Sequence, residues 1–180
     1  MMRKNYVFIA QSLDGFIADK NGGIDWLNMV PNPENDDCGY NDFIKQVDAI
    51  IMGRSTFEKV LSFGIDWPYN IPVFVMSNTL KETPQDYLGK VEIISGTLSE
   101  ILKLVNDKGY NKLYIDGGQV IQSFLKEDLI DEMIITTIPI LLGDGIPLFT
   151  NFLEAKEFRH IKTKVFLKQL VQSSYKRVRD

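Results

Sequence analysis

A chain of 180 residues with 44% hydrophobic and 24% charged residues is long enough for one domain with a substantial core, and nothing in the composition marks a second domain. The net charge of −4 argues against a nucleic-acid surface, and the single cysteine and single histidine argue against disulfides and zinc sites built on these residues. No apolar run approaches the ~18 residues of a membrane helix. We therefore expect a cytoplasmic, metal-free protein that contacts neither membrane nor nucleic acid.

Short apolar runs alternate with helical patterns through the first two thirds of the chain. Strands are predicted at 6–10, 49–52, 72–76, 91–94 and 112–115. Helices follow three of these strands, which indicates parallel pairing through right-handed crossovers. A further strand at 132–138 and a hairpin at 160–166 and 170–177 complete the pattern. The prediction is an α/β fold with a mostly parallel central sheet, an antiparallel C-terminal edge and helices on both faces.

The turn after the strand at 112–115 contains two adjacent glycines, Gly117 and Gly118, before a helical stripe that begins with Val120 and Ile121. A helix start has unpaired backbone N–H groups and the positive end of a dipole, and glycine lets a ligand approach that backbone. The turn therefore predicts either a phosphate site or simply a tight connection.

A second strand-to-helix turn, after 49–52, combines a glycine with a cation and two hydroxyls: Gly53, Arg54, Ser55 and Thr56. Arginine can fork onto phosphate, and serine or threonine can donate to an anion or cap the helix. The alternatives are an anion site, a capped helix with a surface ion pair, or both.

A glycine-rich segment at 12–26, called the glycine loop below, follows the first strand and ends in an aromatic residue, Trp26. Such a loop can close over a ligand. Trp26 either contacts that ligand or packs in the core.

These features occur in an order that carries a family resemblance. The motifs are Ser12-Leu13-Asp14-Gly15, Ile51-Met52-Gly53-Arg54-x-Thr56, Ser77 after a strand, Asp116-Gly117-Gly118-x-Val120, Leu129-Ile130-Asp131-Glu132 and Pro139-x-Leu141-Leu142-Gly143. Together they resemble dihydrofolate reductase, and the second half is more similar to the reductase domain of bifunctional riboflavin-biosynthesis deaminase/reductases. The chain is identified as a stand-alone member of the dihydrofolate reductase-like superfamily.

That resemblance implies a three-layer sandwich that binds NADPH. The implied cofactor-binding residues are Ala10, Ile17, Gly53, Arg54, Ser55, Thr56, Ser77, Asn78, Gly117, Gly118, Gln119, Val120, Ile121 and Asp144. The backbones of Ala10 and Ile17 would hold the nicotinamide carboxamide, and Asp144 would lie in a loop that braces the glycine loop. Arg54 favours NADPH over NADH because a planar guanidinium matches the extra 2′-phosphate.

The resemblance also assigns substrate positions. Trp26 and Thr136 are expected to contact substrate, whereas residues 37–42 contain no clear counterpart of the acid that contacts the pterin in dihydrofolate reductase. Asp116 stands where dihydrofolate reductase has glycine and the riboflavin-pathway reductases have an acid. It either contacts substrate or is an acid favoured near a helix N-terminus. A proton could come from Asp116, from Asp14 or from water.

We therefore expect an NADPH-dependent reductase of a small heterocyclic or sugar-derived substrate, similar to 5-amino-6-(5-phosphoribosylamino)uracil. The alternatives are dihydrofolate reductase and an oligomeric NADPH-binding module without turnover. The apolar, β-prone C-terminal strands additionally predict a homodimer.

Overall fold

The computed structural model describes residues 3–150 and 154–179. The strands are β1 (Lys4–Ser12), β2 (Phe16–Ala18), β3 (Ala49–Gly53), β4 (Val73–Met76), β5 (Val91–Ile94), β6 (Lys112–Asp116), β7 (Glu132–Ile138), β8 (Ile146–Pro147), β9 (Phe158–Phe166) and β10 (Leu170–Arg177). The α-helices are α1 (Tyr40–Ile44), α2 (Arg54–Ser62), α3 (Leu98–Asp107) and α4 (Gly118–Lys126), with short 3₁₀ helices at Asp25–Asn28 and Gln85–Tyr87.

Eight of these strands form one sheet in the order β5-β4-β3-β6-β1-β7-β10-β9. The pairs from β5 to β7 are parallel, whereas β10 is antiparallel to both β7 and β9. The predicted fold class is confirmed. The C-terminal hairpin forms an antiparallel edge because its short connection allows only a direct reversal of the chain.

Hydrophobic cores cover both faces of the central strands, as near-continuous apolar runs in a parallel sheet require. On one face, α3 and α4 bury side chains such as Ile101 and Phe124, which are 2% and 0% exposed. On the other face, Phe43 of α1 and Phe57 of α2 pack over β3 and β6. The sheet is thereby fixed between two helical layers, with its strand ends accessible.

Two helix starts show how far local sequence signals reach. The spacing Thr97-x-x-Glu100 predicts a capping box, and these residues form it at the start of α3. Asn41 and Asp42 are residue types that favour an N-cap, but α1 begins at Tyr40 with Gly39 in the N-cap position, so a cap predicted at Asn41 or Asp42 is wrong.

Two short strands were not predicted at all. β2, within the glycine loop, pairs with β8, and the Leu148 N–H donates to the carbonyl oxygen of Gly15 at 2.9 Å. This pairing holds the glycine loop against the loop that contains Asp144.

Candidate cofactor and substrate site

The two glycine turns lie side by side at one edge of the sheet. β3 and β6 are neighbouring parallel strands, with Met52 opposite Asp116, so they end at the same level. Gly53 is the N-cap of α2 and Gly117 is the N-cap of α4, and neither cap residue makes a side-chain hydrogen bond. The first N–H groups of both helices therefore have no helical partner, and two positive dipole ends lie together.

A groove composed of two cavities runs across these turns. The main cavity, of about 680 Å³, lies between the glycine loop, α2 and Asp116. The side cavity, of about 320 Å³, lies near the ends of β4 and β5. Both cavities are lined by Gly53, Ser55, Gln119 and Val120, so they adjoin at the two helix N-termini. The main cavity is also lined by Ala10, Ile17, Thr56, Gly117 and Gly118.

The paired glycines let the groove walls approach each other closely. Gly117 has a φ of +88°, and a Cβ atom added there would overlap Thr56 Oγ1. A Cβ atom on Gly118 would lie 2.6 Å from Ile17 Cδ1. At Gly117 the backbone conformation and the close approach of Thr56 together favour glycine, and at both glycines the bare backbone faces the groove.

Ser55 and Thr56 lie in the first turn of α2 but do not cap the helix. Gly53 occupies the N-cap position, so the capping that the sequence suggested is wrong. Ser55 is exposed, while Thr56 is half-buried beside Gly117. Both hydroxyls consequently line the groove at the N-terminus of α2, where they can donate to an anion.

Arg54 lies at the exposed mouth of the side cavity. Its Nε is 2.6 Å from Oε1 of Glu58, and its Nη1 donates to Thr79 Oγ1 at 2.7 Å. Ser77 Oγ accepts the backbone N–H of Thr79 at 3.2 Å, and Asn78 also lines the cavity. This network orients a guanidinium and several polar groups towards one small volume, as recognition of a phosphate requires.

Asp116 ends β6 and lies in the wall of the main cavity. Its carboxylate accepts the backbone N–H of Gly117 at 2.8 Å. Burial raises the pKa of Asp116 to about 6, and the hydrogen bond from the Gly117 N–H opposes that rise. Both protonation states are therefore accessible near neutral pH, which suits an acid that donates a proton.

Three tyrosines surround Asp116, and the sequence reasoning missed this cluster. Tyr69 lines the main cavity, while the Tyr114 hydroxyl donates to the Phe8 carbonyl oxygen at 2.9 Å. Burial, reinforced by the charge of Asp116, raises the pKa of all three hydroxyls, that of Tyr40 to about 12. Tyr40 and Tyr69 carry no periodic signal because turn-rich segments precede them; only the tertiary fold brings them together.

Asp14 and Asp144 lie in loops beside the groove. The Asp14 carboxylate accepts hydrogen bonds from Ser12 Oγ at 2.5 Å and from the Gly143 N–H at 2.8 Å. The Ser12 hydrogen bond, followed by the Gly143 N–H, holds the pKa of Asp14 below its usual value. Asp144 is exposed and accepts the N–H of Gly145 at 2.8 Å. Neither aspartate is among the residues that line the main cavity.

Trp26, the last residue of the glycine loop, packs into a hydrophobic cluster and is not among the residues that line the main cavity. It lies in the 3₁₀ helix Asp25–Asn28 and contacts a small cluster that joins the ends of β7 and β10. Its Nε1 is buried and has no hydrogen-bond partner within residues 3–150 and 154–179. Ile24 and Leu27 of the same segment line the main cavity instead. This placement favours the packing alternative for Trp26.

Thr136 and Ile121 lie behind the groove wall. Thr136 is 5% exposed, and its Oγ1 accepts a hydrogen bond from Gln172 Nε2 at 3.1 Å. Ile121 is fully buried, and its N–H donates to the Gly117 carbonyl oxygen at 2.9 Å. Their side chains can support the residues in front of them, but they are not among the residues that line either cavity.

The fold and the groove define a class of protein, an α/β domain of the dihydrofolate reductase type. An Enterococcus faecalis dihydrofolate reductase complexed with NADP(H) and an inhibitor, RAB-propyl, has a TM-score of 0.66 to this chain at 19% identity, which indicates the shared fold. That match covers 97% of this chain and 96% of the reductase.

Within that class, the chain belongs to the RibD C-terminal domain family, whose model matches residues 3–172. A protein of Shewanella sp. PV-4, provisionally assigned to riboflavin biosynthesis, is 55% identical with a TM-score of 0.95, over 98% of this chain and 99% of its own. The uncharacterized protein YwjB of Bacillus subtilis is 39% identical over 178 residues, which are 98% of this chain and 99% of that protein.

The described part of the chain contains neither a metal-binding cluster nor a membrane-spanning helix. Residues 3–150 and 154–179 contain no group of three or more His, Cys, Asp or Glu side chains arranged to hold a metal ion. No helix within the same ranges is long and apolar enough to cross a membrane.

Proposed function

We propose that this chain is an NADPH-dependent reductase of a small heterocyclic or sugar-derived substrate, similar to 5-amino-6-(5-phosphoribosylamino)uracil. The observation that supports the proposal most is the groove that passes two uncapped helix N-termini and ends at Asp116. Backbone N–H groups at a helix start bind phosphate, and Gly117 and Gly118 bring them within reach of a pyrophosphate. The side cavity beyond them is suited to the adenosine part.

The polar groups of the side cavity favour NADPH over NADH. Arg54 presents a guanidinium there, and Ser77 and Thr79 add hydroxyls beside it. A 2′-phosphate would accept charge-assisted hydrogen bonds from these groups, whereas the 2′-hydroxyl of NADH offers one small polar group.

Bound in this groove, NADPH would supply the hydride. Ala10 and Ile17 would then lie beside the nicotinamide end, and the buried carboxyl of Asp116 would donate a proton to the reduced substrate. Asp14 is less suited to that task, because its hydrogen bonds to Ser12 and Gly143 favour the ionised form.

The alternative of dihydrofolate reductase has less support from the helix before β3. That helix, α1, carries Asp42, which is exposed and lies 3.6 Å from Lys45 Nζ. The acids that line the main cavity are Glu58, which is paired with Arg54, and Asp116, which forms no salt bridge within residues 3–150 and 154–179. The riboflavin-pathway reductases have an acid at the position of Asp116.

Cofactor titration followed by turnover assays tests the proposal. Quenching of Trp26 and Trp67 fluorescence should report tight binding of NADPH and weaker binding of NADH. Oxidation of NADPH by 5-amino-6-(5-phosphoribosylamino)uracil is the expected activity, and oxidation by dihydrofolate would favour the alternative. Binding of neither cofactor would refute the reductase, whereas tight binding without turnover on any pterin or pyrimidine would favour the non-catalytic module.

Arg54→Ala tests the cofactor preference directly. Loss of charge-assisted contacts to a phosphate should weaken NADPH by roughly tenfold to a hundredfold and leave NADH nearly unchanged. Arg159→Ala is the matched control, because Arg159 is exposed on β9, away from the groove. An equal loss of both cofactors in Arg54→Ala would remove the 2′-phosphate assignment.

A further inference from the structure

Lys59 lines the main cavity on a side that the cofactor assignment leaves unused. It lies on the same face of α2 as Thr56, Val60 and Phe63, which also line the cavity. Lys59 lies three positions after Thr56, so it is about 4.5 Å further along the helix axis, away from the N-terminus where phosphates would bind.

The ammonium of Lys59 has no ion-pair partner within the part of the chain that the structure describes. Lys59 is nevertheless half-buried. Its neighbour Glu58 also lines the cavity but is already paired with Arg54 at 2.6 Å. The ammonium of Lys59 is therefore available to bind an anion that enters the cavity.

The acid that interacts with Lys59 is Asp19 in the glycine loop, which is not among the residues that line the main cavity. Its carboxylate accepts the N–H groups of Gly23 and Asn21 at 2.8 and 2.7 Å. Those hydrogen bonds hold the pKa of Asp19 below its usual value, and the positive charge of Lys59 contributes a smaller effect. Asp19 is thus held by its own loop and forms no ion pair with Lys59.

The lining of the main cavity thus includes an acid, Asp116, and a cation, Lys59. We propose that Lys59 determines substrate specificity by binding an anionic group, a phosphate or a carboxylate, carried by a substrate whose ring lies beside Asp116. The inference rests on the proposed reductase function, since it assigns the phosphates of NADPH to the helix N-termini and leaves Lys59 to the substrate.

Matched pairs of probes that differ in one anionic group test this role. Uridine 5′-monophosphate and uridine examine a phosphate, while orotate and uracil, which differ by one carboxylate, examine a carboxylate. Each probe is titrated calorimetrically into protein saturated with NADP⁺, which prevents turnover. The wild type should bind the anionic member of at least one pair about threefold to tenfold more tightly, and the preferred pair identifies the anion.

Lys59→Met keeps the length of the side chain and removes its charge. It should abolish the preference for the anionic probe, leave the neutral probe unchanged and leave the Kd of NADPH unchanged. Lys59→Arg should retain the preference, and Lys162→Met on the exposed strand β9 is the control for net charge.

Three results would overturn the inference: no preference for either anion in the wild type, a preference that survives in Lys59→Met, or a loss of NADPH affinity in that variant. The last result would assign Lys59 to the cofactor. Failure of the wild type to bind NADP⁺ or NADPH at all would instead refute the proposed function, so the two failures are distinguishable.

Discussion

At the scale of single residues, the groove contrasts a half-buried acid with an exposed cation. Partial burial in the cavity wall lets Asp116 retain its proton more readily, whereas Arg54 lies at the surface. Each environment matches the role that we propose for the residue. An anion-binding arginine needs to be reached from solvent, and a proton donor needs a pKa near the working pH.

The raised pKa of Asp116 has a consequence for stability that does not depend on any ligand. A carboxyl whose folded pKa is about 6, against an ordinary value of 3.8, stabilises the fold below about pH 4. That contribution is lost as the pH rises through about 6. Compared with Asp116→Asn, the wild type should therefore lose up to about 3 kcal/mol of unfolding free energy between about pH 4 and pH 8.

Urea unfolding at several pH values measures this difference. Asp86→Asn, at an exposed position, is the control and should parallel the wild type. A constant difference between wild type and Asp116→Asn across the whole pH range would contradict the raised pKa.

Residues next to a strong local signal could be predicted from the sequence, and others could not. Asp116 was identified because it precedes two glycines and a helical stripe. Lys59 and Tyr69 were missed: Lys59 lies in an ordinary helical pattern, and Tyr69 lies in a segment without periodicity. Their place in the lining of the same cavity as Asp116 arises from packing between distant segments, which one sequence does not display.

At the scale of elements, the groove depends on two equivalent strand-turn-helix units set side by side. The sequence predicted both units, since apolar runs, glycines and helical stripes are local patterns. It did not predict β2 and β8, because strands of three and two residues exist only through their mutual pairing. The contact between the Asp144 loop and the glycine loop was therefore expected from the family resemblance. The β2–β8 pairing that makes this contact was not.

Gly117→Ala tests how much the close approach of these units matters. Gly109 is the matched control, because it has a similar φ of +99° but open space around it, whereas Gly117 faces Thr56. Gly109→Ala should cost about 1 kcal/mol for the left-handed backbone alone. Gly117→Ala should cost clearly more in urea unfolding and should abolish NADPH binding. Equal costs for the two variants would mean that the Thr56 side chain moves aside without a measurable loss of stability.

At the scale of the whole molecule, one end of the sheet is left without a helical cover. The layers of α3 and α4 cover the central strands, but Val165 and Val171 on β9 and β10 are 61% and 43% exposed and lie opposite each other in register. Lys162 and Lys164 alternate with Val165 along the edge strand β9 and discourage edge-to-edge pairing. An exposed apolar face of this kind favours contact with a second copy through the face rather than the edge.

We therefore expect a homodimer that buries this face. Light scattering should give twice the chain mass for the wild type, because burial of opposed valines is favourable and places no charge in the interface. Val165→Lys combined with Val171→Lys should give a monomer, since the contact would bury uncompensated charges. Leu88→Lys, a change at a leucine that is 56% exposed outside this face, should remain dimeric. A monomeric wild type, or a dimeric double variant, would show that the face is not the interface.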